Sequence, residues 1–347
     1  MNLLEGSRSG HLMGKIYADE YQCSSQKKLS DKFLTTKTPI VLKNYVSEWP
    51  LTKIAKNSIT DGADYLLDFY NDTPVNVVIG EAEIEQRIFY NEDFSGFNFQ
   101  SLTTSMDNLI NRILQYKESK KPPTLYMAST SIEKWLPGFS QDNDIILDKE
   151  DVLGSIWIGN RCRIAAHFDL PSNIACCAVG RRTFTLFPPD QIANLYPGPI
   201  DFAPGGQPIS TVDLKKPNYK KFPRFKEALK NSVVAELEPG DAIIVPSMWW
   251  HHVESFDELN ILVNYWWRES PKFMGNPSAV LNHALLAIKQ LPTDQKQAWR
   301  EMFDYYIFDE NNGDHSHIPE KAKGILGKLD EMNARKIRSM VLNQLNR

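Results

Sequence analysis

Residues 173–187 read NIACCAVGRRTFTLF, two short apolar runs, Asn173 to Val179 and Thr183 to Phe187, on either side of a turn signalled by Val179-Gly180. Runs this short, bounded by turn residues and holding Val, Ile, Thr and Phe, read as strands. Similar runs recur at Leu125 to Ala128, Ser155 to Ile158, Ala242 to Val245 and Ile261 to Trp266, with a further turn at Pro239-Gly240-Asp241. This is the spacing of a barrel or sandwich. The fold class expected is mainly β with flanking helices.

The regions outside this block read differently. Residues 1–30 are polar and without period, which predicts a flexible N-terminus with order beginning near Lys32. Residues 31–123 predict α+β elements beside the barrel. They comprise a strand at Pro39 to Leu42, a helix over Asp61 to Tyr70, a strand at Val75 to Ile79 and a helix over Leu102 to Tyr116. In the last of these, Leu102, Met106, Leu109, Ile110, Ile113 and Leu114 share one helical face, and Pro122-Pro123 closes the region. The β-rich core then runs over 124–268. Within it, residues 188–225 hold eight prolines and no clear period, the pattern of a functional lid or packed surface loop, and we expect a flap beside the site. Residues 269–347 predict a helical module: Ala279 to Gln290, Asp294 to Phe308 capped by Thr293, and about Leu329 to Leu345. The last helix carries a stripe of Leu329, Met332, Ile337, Met340, Val341 and Leu345 that must pack on the core or on another subunit, and a homodimer through these helices is expected.

Thirty-nine basic and 43 acidic residues are dispersed along the 347-residue chain, for a formal charge of −4. No polybasic field favours nucleic acid or an anionic membrane. Cys23, Cys162, Cys176 and Cys177 lack the paired spacing of a zinc site, and a reducing cytoplasm fits them best. No apolar run approaches the roughly 20 residues of a membrane span, and MNLLEGSRSGHLMGK lacks the hydrophobic core of a signal peptide. A cytoplasmic protein is the expectation.

The chemistry concentrates at His167-Phe168-Asp169. Side chains two apart on a strand share a face and can grip one ion from one side. A third ligand would complete a facial triad, the arrangement that leaves iron(II) three open positions for a chelating co-substrate and dioxygen. His251 and His252, beyond the run Ala242 to Val245, are the candidates. Adjacent strand residues face opposite ways, so one alone can serve, and periodicity does not choose between them. An HxD triplet by itself also fits an ordinary core histidine. Trp249, Trp250, Trp266 and Trp267 fit either a substrate wall or core. His315 and His317 read as an exposed loop, and Arg163 reaches the site or solvates a strand end.

With these residues in place, the chain resembles the JmjC cupin-like family that includes the asparaginyl hydroxylase acting on hypoxia-inducible factor. The resemblance rests on GRRTFTLFPPDQ (180–191), Leu195-Tyr196-Pro197, Pro239-Gly240-Asp241, PSMWWHHVES (246–255) and Val263-Asn264-Tyr265-Trp266, in the family's order over about Pro39 to Trp267. It implies a double-stranded β-helix (jelly-roll, cupin) core, with the C-terminal helices as an appendage. It also implies iron(II) at His167, Asp169 and His251, the first His of the WWHH run, and 2-oxoglutarate as co-substrate. Arg182 and Tyr126 match the partners of its distal carboxylate, while Asn173 and Asn264 match inward-facing amides near the metal. Arg182 stands where relatives commonly have lysine, and Ile164 where the asparaginyl hydroxylase has a threonine.

The activity implied is hydroxylation of a protein or peptide side chain, or of a small molecule, with decarboxylation of 2-oxoglutarate to succinate. Two other readings remain: a non-redox cupin isomerase, for which HxH with further ligands is more usual, and a non-catalytic metal-binding cupin module, which the changes at Ile164 and Arg182 keep open.

Overall fold

The computed structural model describes residues 11–12, 15–23, 28–309 and 315–346. The chain divides into two compact units, Met1–Arg268 and Glu269–Arg347. In chain order the strands of the first are β1 (His11–Leu12), β2 (Lys15–Tyr17), β3 (Asp19–Gln22), β4 (Ile40–Lys43), β5 (Val75–Gly80), β6 (Arg87–Ile88), β7 (Gln100–Thr104) and β8 (Thr124–Ser131). There follow β9 (Leu153–Gly159), β10 (Cys162–His167), β11 (Ser172–Val179), β12 (Arg182–Phe187), β13 (Val233–Leu237), β14 (Ala242–Val245), β15 (Trp250–Ser255) and β16 (Asn260–Trp267).

They form two sheets, ordered β1-β2-β13-β12-β15-β10-β6 and β3-β4-β14-β11-β16-β9-β8-β5-β7. From β9 onward the chain changes sheet at every connection except β12 to β13, and the core pairings are antiparallel. Eight strands so arranged are a jelly roll, the double-stranded β-helix.

Alternation along the strands builds two apolar layers. On β11, Ala175 and Cys177 join Phe184, Leu186, Leu237, Ile243 and Leu262 between the sheets. Their neighbours Ile174, Cys176 and Ala178 enter the cluster on the opposite face. Adjacent Cys176 and Cys177 therefore occupy different layers, and all four cysteines are free. The outer cluster is completed by the helix Met106–Gln115, which buries Met106, Leu109, Ile110 and Ile113 at the i, i+3, i+4, i+7 spacing.

Two turns explain their glycines. Gly180 has φ +75, and a Cβ there would lie 2.3 Å from Asn260 Oδ1. In the Pro239-Gly240-Asp241 turn, Gly240 has φ +106. The Asp241 carboxylate accepts from the Lys43 ammonium and from the backbone N–H of Asn44 and Glu238, which ties the turn to the end of β4.

Several boundaries differ from the sequence reading. Within residues 1–30, β2 runs parallel to β13 and β3 parallel to β4. Ordered backbone thus starts well before Lys32, because backbone pairing needs no apolar period. The remainder of that predicted flexible segment lies partly outside the described residues. Leu102 belongs to β7, paired to β5, and is 38% exposed. Its fit to the helical face was a coincidence of spacing that sheet pairing overrode.

Residues 188–225, expected as a flap beside the site, form a packed layer. They cover the outer face of the seven-stranded sheet, where Leu195, Val212 and Phe225 pack on Ala166, Phe187 and Trp250. The Ser210 N–H donates to the Ala166 carbonyl at 2.7 Å.

In the second unit the helices are Pro277–Ala287, Thr293–Phe303 with a π-helical extension Asp304–Phe308, and Glu331–Leu345. Thr293 is the first helical residue rather than the cap, and Pro292 precedes it without a side-chain hydrogen bond. Leu329 falls outside the last helix, which Asp330 caps through the Asn333 N–H. Leu286, Phe308, Met332 and Leu342 of this unit are all exposed.

Candidate metal centre and co-substrate pocket

The strands β10 and β15 pair Ile164 with Val253 and His167 with His251, three steps on one strand against two on the other. This is a β-bulge. It turns Ala165 and Ala166 both outward, into clusters with Phe89 and with Phe187. Cys162 and Ile164 before it, and His167 and Asp169 after it, then line one cavity. Without the extra residue, Ile164 and His167 would face opposite ways.

The donor atoms of His167, Asp169 and His251 lie within 4.8 Å of one another, the one such group among the described residues. His251 Nε2 is 3.8 Å from Asp169 Oδ2. His167 Nδ1 lies 2.9 Å from the Ala165 carbonyl and His251 Nδ1 3.0 Å from the Trp249 carbonyl. With Nδ1–H donating to those carbonyls, each ring presents the Nε2 lone pair to its partners. Burial, with the neighbouring His167, holds the His251 imidazole down at about 4, against the opposing pull of Asp169 and the Trp249 carbonyl. It is neutral near pH 7, the state a metal ligand needs.

His252 points the other way. It lies among Arg163, Asp213 and Arg87 and 3.8 Å from Glu254; burial, then Arg163, push its imidazole down to about 3.

The Asp169 carboxylate is oriented by a chain of amides and an indole. Trp266 Nε1 donates to Oδ2 at 3.3 Å, Asn173 Nδ2 to the same oxygen at 3.5 Å, and Asn264 Nδ2 to Asn173 Oδ1 at 3.2 Å. Asn173 and Asn264 thus serve each other and Asp169, and Asn264 Oδ1 is buried without a partner.

The cavity measures about 60 Å³, by a measure in which one water needs about 10–15 Å³, so it admits a compact molecule. Arg182 and Tyr126 line it together with the three candidate ligands. Arg182 is 4% exposed, and its Nε has no hydrogen-bond partner. Among the described residues no carboxylate lies within ion-pair distance of it. Burial raises the Tyr126 phenol well above its ordinary value, so it stays a donor. A buried cation facing a cavity is matched by an anionic ligand, and a planar guanidinium suits a carboxylate. Both the donor set and this cation therefore fit a metal with a carboxylate co-substrate.

Other candidates lie elsewhere. Arg163 faces outward, 2.8 Å from Asp213 and donating to the Glu85 carbonyl. Of the four tryptophans noted from sequence, Trp249, Trp250 and Trp267 are buried in apolar clusters, and only Trp266 lines the cavity. His315 stacks with Tyr306, outside any ligand group. The sequence reading missed Trp157. Its signal was alternation: Ile156 and Ile158 enter the outer cluster, and Trp157 between them faces the cavity.

The family model described as a cupin-like domain matches residues 26–273. The chain belongs to the cupin-like domain family. JmjC-type members of this family are iron- and 2-oxoglutarate-dependent oxygenases. Among curated relatives, this cupin-like chain is 36% identical over 123 residues to the lysine-specific demethylase JMJ31 of Arabidopsis thaliana, covering 35% of this chain and 22% of that protein. It is 37% identical over 114 residues to an HSPB1-associated protein 1 homolog of Danio rerio, covering 32% and 25%. It is 24% identical over 257 residues to lysine-specific demethylase 8 of Xenopus tropicalis, covering 71% and 51%. The cupin-like chain thus spans at most about half the length of these relatives.

Proposed function

We propose that this cupin-like chain is an iron(II)- and 2-oxoglutarate-dependent oxygenase of the hydroxylase type. One observation carries the reading: the His167, Asp169 and His251 donor group and an unpaired buried arginine share a single small cavity. His167, Asp169 and His251 would hold the metal, and Arg182 with Tyr126 the distal carboxylate of the co-substrate. Iron(II) with 2-oxoglutarate and dioxygen supplies an oxidant for a C–H bond, with succinate and carbon dioxide as co-products. The protein's part is positioning. Trp266 and Asn173 fix the Asp169 carboxylate, and the carbonyls of Ala165 and Trp249 fix both imidazoles. Ile164, Phe184, Val253 and Leu262 make the cavity wall apolar and restrict water.

The substrate we propose is a protein or peptide side chain or a small molecule. Two of the relatives are named as lysine-specific demethylases, and removal of an N-methyl group would use the same oxidation. A non-redox isomerase is disfavoured by the HxD ligand pair in place of HxH. The decisive experiment measures succinate released from 2-oxoglutarate after anaerobic iron loading, with and without ascorbate, followed by a search for products 16 Da heavier in cell extract. No succinate from iron-loaded protein would leave the non-catalytic module as the answer.

The exposed apolar residues of the C-terminal helices suit contact with a second copy, giving a homodimer. A cytoplasmic setting suits the four free cysteines. Among the described residues no helix is long and apolar enough to cross a membrane.

A further inference from the structure

We propose that the indole N–H of Trp157 is a direct donor to the distal carboxylate of the co-substrate, taking the part of the hydroxyl that Ile164 does not have. The inference rests on the proposed function and adds a residue to it.

Two nitrogen donors in the cavity lining are buried and without a partner, Arg182 Nε and Trp157 Nε1. Indole and guanidinium nitrogens donate only, so neither can be satisfied by the other. What satisfies both must bring acceptor oxygens, and what balances Arg182 must bring negative charge. A carboxylate does both, whereas a neutral ligand or a single water leaves the arginine uncompensated.

The remaining lining narrows the choice of donors. Ile164, Phe184, Val253 and Leu262 have no polar side-chain atom. The Cys162 thiol is engaged with Ser255 Oγ at 3.2 Å. The amides of Asn173 and Asn264 each donate one N–H, and Trp266 its indole N–H, within the Asp169 chain. Among the lining side chains outside the Asp169 chain, the donors are Arg182, Tyr126, the one hydroxyl, and Trp157. Tyr126 and Trp157 are neighbours, with ring centroids 6.2 Å apart and planes 30° apart. On its other side Trp157 meets Trp266 edge-on at 6.0 Å. The two indoles thereby divide the cavity: Trp266 serves the metal-ligand carboxylate and Trp157 is left for the co-substrate.

The test uses the full chain loaded with Mn(II) and titrated with 2-oxoglutarate by calorimetry. Trp157→Phe should weaken 2-oxoglutarate about tenfold, the effect of one hydrogen bond to a charged group, with Mn(II) affinity unchanged. Adding Ile164→Thr to that variant should restore much of the loss, since the new hydroxyl enters the same subsite. Unchanged 2-oxoglutarate affinity in Trp157→Phe, or a loss that Ile164→Thr does not rescue, would overturn the inference and leave Trp157 as a packing residue. A second measurement needs no variant. In Zn(II)-loaded wild type with 15N-labelled indoles, 2-oxoglutarate should shift one indole proton and slow its exchange, and a spectrum in which none moves would also overturn it. Wild type that binds Mn(II) but not 2-oxoglutarate would instead defeat the proposed function and this inference with it.

Discussion

His167 and His251 stand opposite one another across the pairing of β10 and β15, ring centroids 4.3 Å apart, because a bulge between Ile164 and His167 returns His167 to the cavity side. Their Nδ1 atoms are both taken up by backbone carbonyls two residues earlier, Ala165 and Trp249. The same geometry makes His252 the neighbour that cannot join them.

That geometry predicts how the adjacent histidines divide. His251→Ala, His167→Ala and Asp169→Ala should remain folded and lose metal, since no spare ligand lies near among the described residues. His252→Ala should retain iron and much of its succinate formation. Iron stoichiometry on folded variants decides it, and His252→Ala losing iron while His251→Ala keeps it would reverse the assignment.

Arg182→Ala should weaken 2-oxoglutarate far more than metal. Loss of a charge-assisted partner corresponds to about 1.5 to 3 kcal/mol, roughly 10- to 100-fold in affinity. Calorimetry with Mn(II) and then 2-oxoglutarate separates the two. Arg163 cannot substitute, being committed to Asp213 on the outer face.

Asp213 predicts a pH dependence of stability. Burial raises its carboxyl, but Arg87, Arg163 and the Lys215 N–H outweigh that and leave it below the ordinary 3.8. Because the folded value lies below the unfolded one, its stabilisation is full above about pH 4 and is lost as pH falls through the folded value. Asp213→Asn should cost up to about 3 kcal/mol at neutral pH, the low end for a buried pair because Asp213 is partly exposed. The gap in Tm between wild type and variant should close below pH 3.8. A gap that persists unchanged at pH 3 would show that the pair contributes no pH-linked stability.

Sedimentation at micromolar concentration should show a dimer, and substituting Met332 and Leu342 by polar residues should shift it to monomer. A strictly monomeric wild type would remove the assembly proposal.

Much of the site could be read from the chain, because its signals are local. The HxD spacing marked His167 and Asp169 as a pair, and both reach the cavity although Asp169 lies just past the end of β10, while the short apolar runs around Gly180 and Gly240 mark strands through turn chemistry and burial alone. The inward asparagines and Arg182 came through the family resemblance rather than from periodicity.

What the tertiary structure decided are the features set by pairing between distant segments. The bulge that puts Ile164 and His167 on one side exists only in register with β15, which lies more than 80 residues away in sequence. The strands β2 and β3 are held by backbone ladders to β13 and β4, so their polar side chains gave no warning. Residues 188–225 looked like a lid by composition, yet Asp213 and Ser210 anchor them behind the histidine strands. Whether Arg182 and Trp157 are paired depends on what surrounds them in space: burial without a partner is a property of the folded cavity, invisible along the chain. Local pattern by itself determined the strand-rich class and the first two metal-ligand candidates, whereas long-range register and packing decided which side chains share the cavity and which donors in it await a ligand.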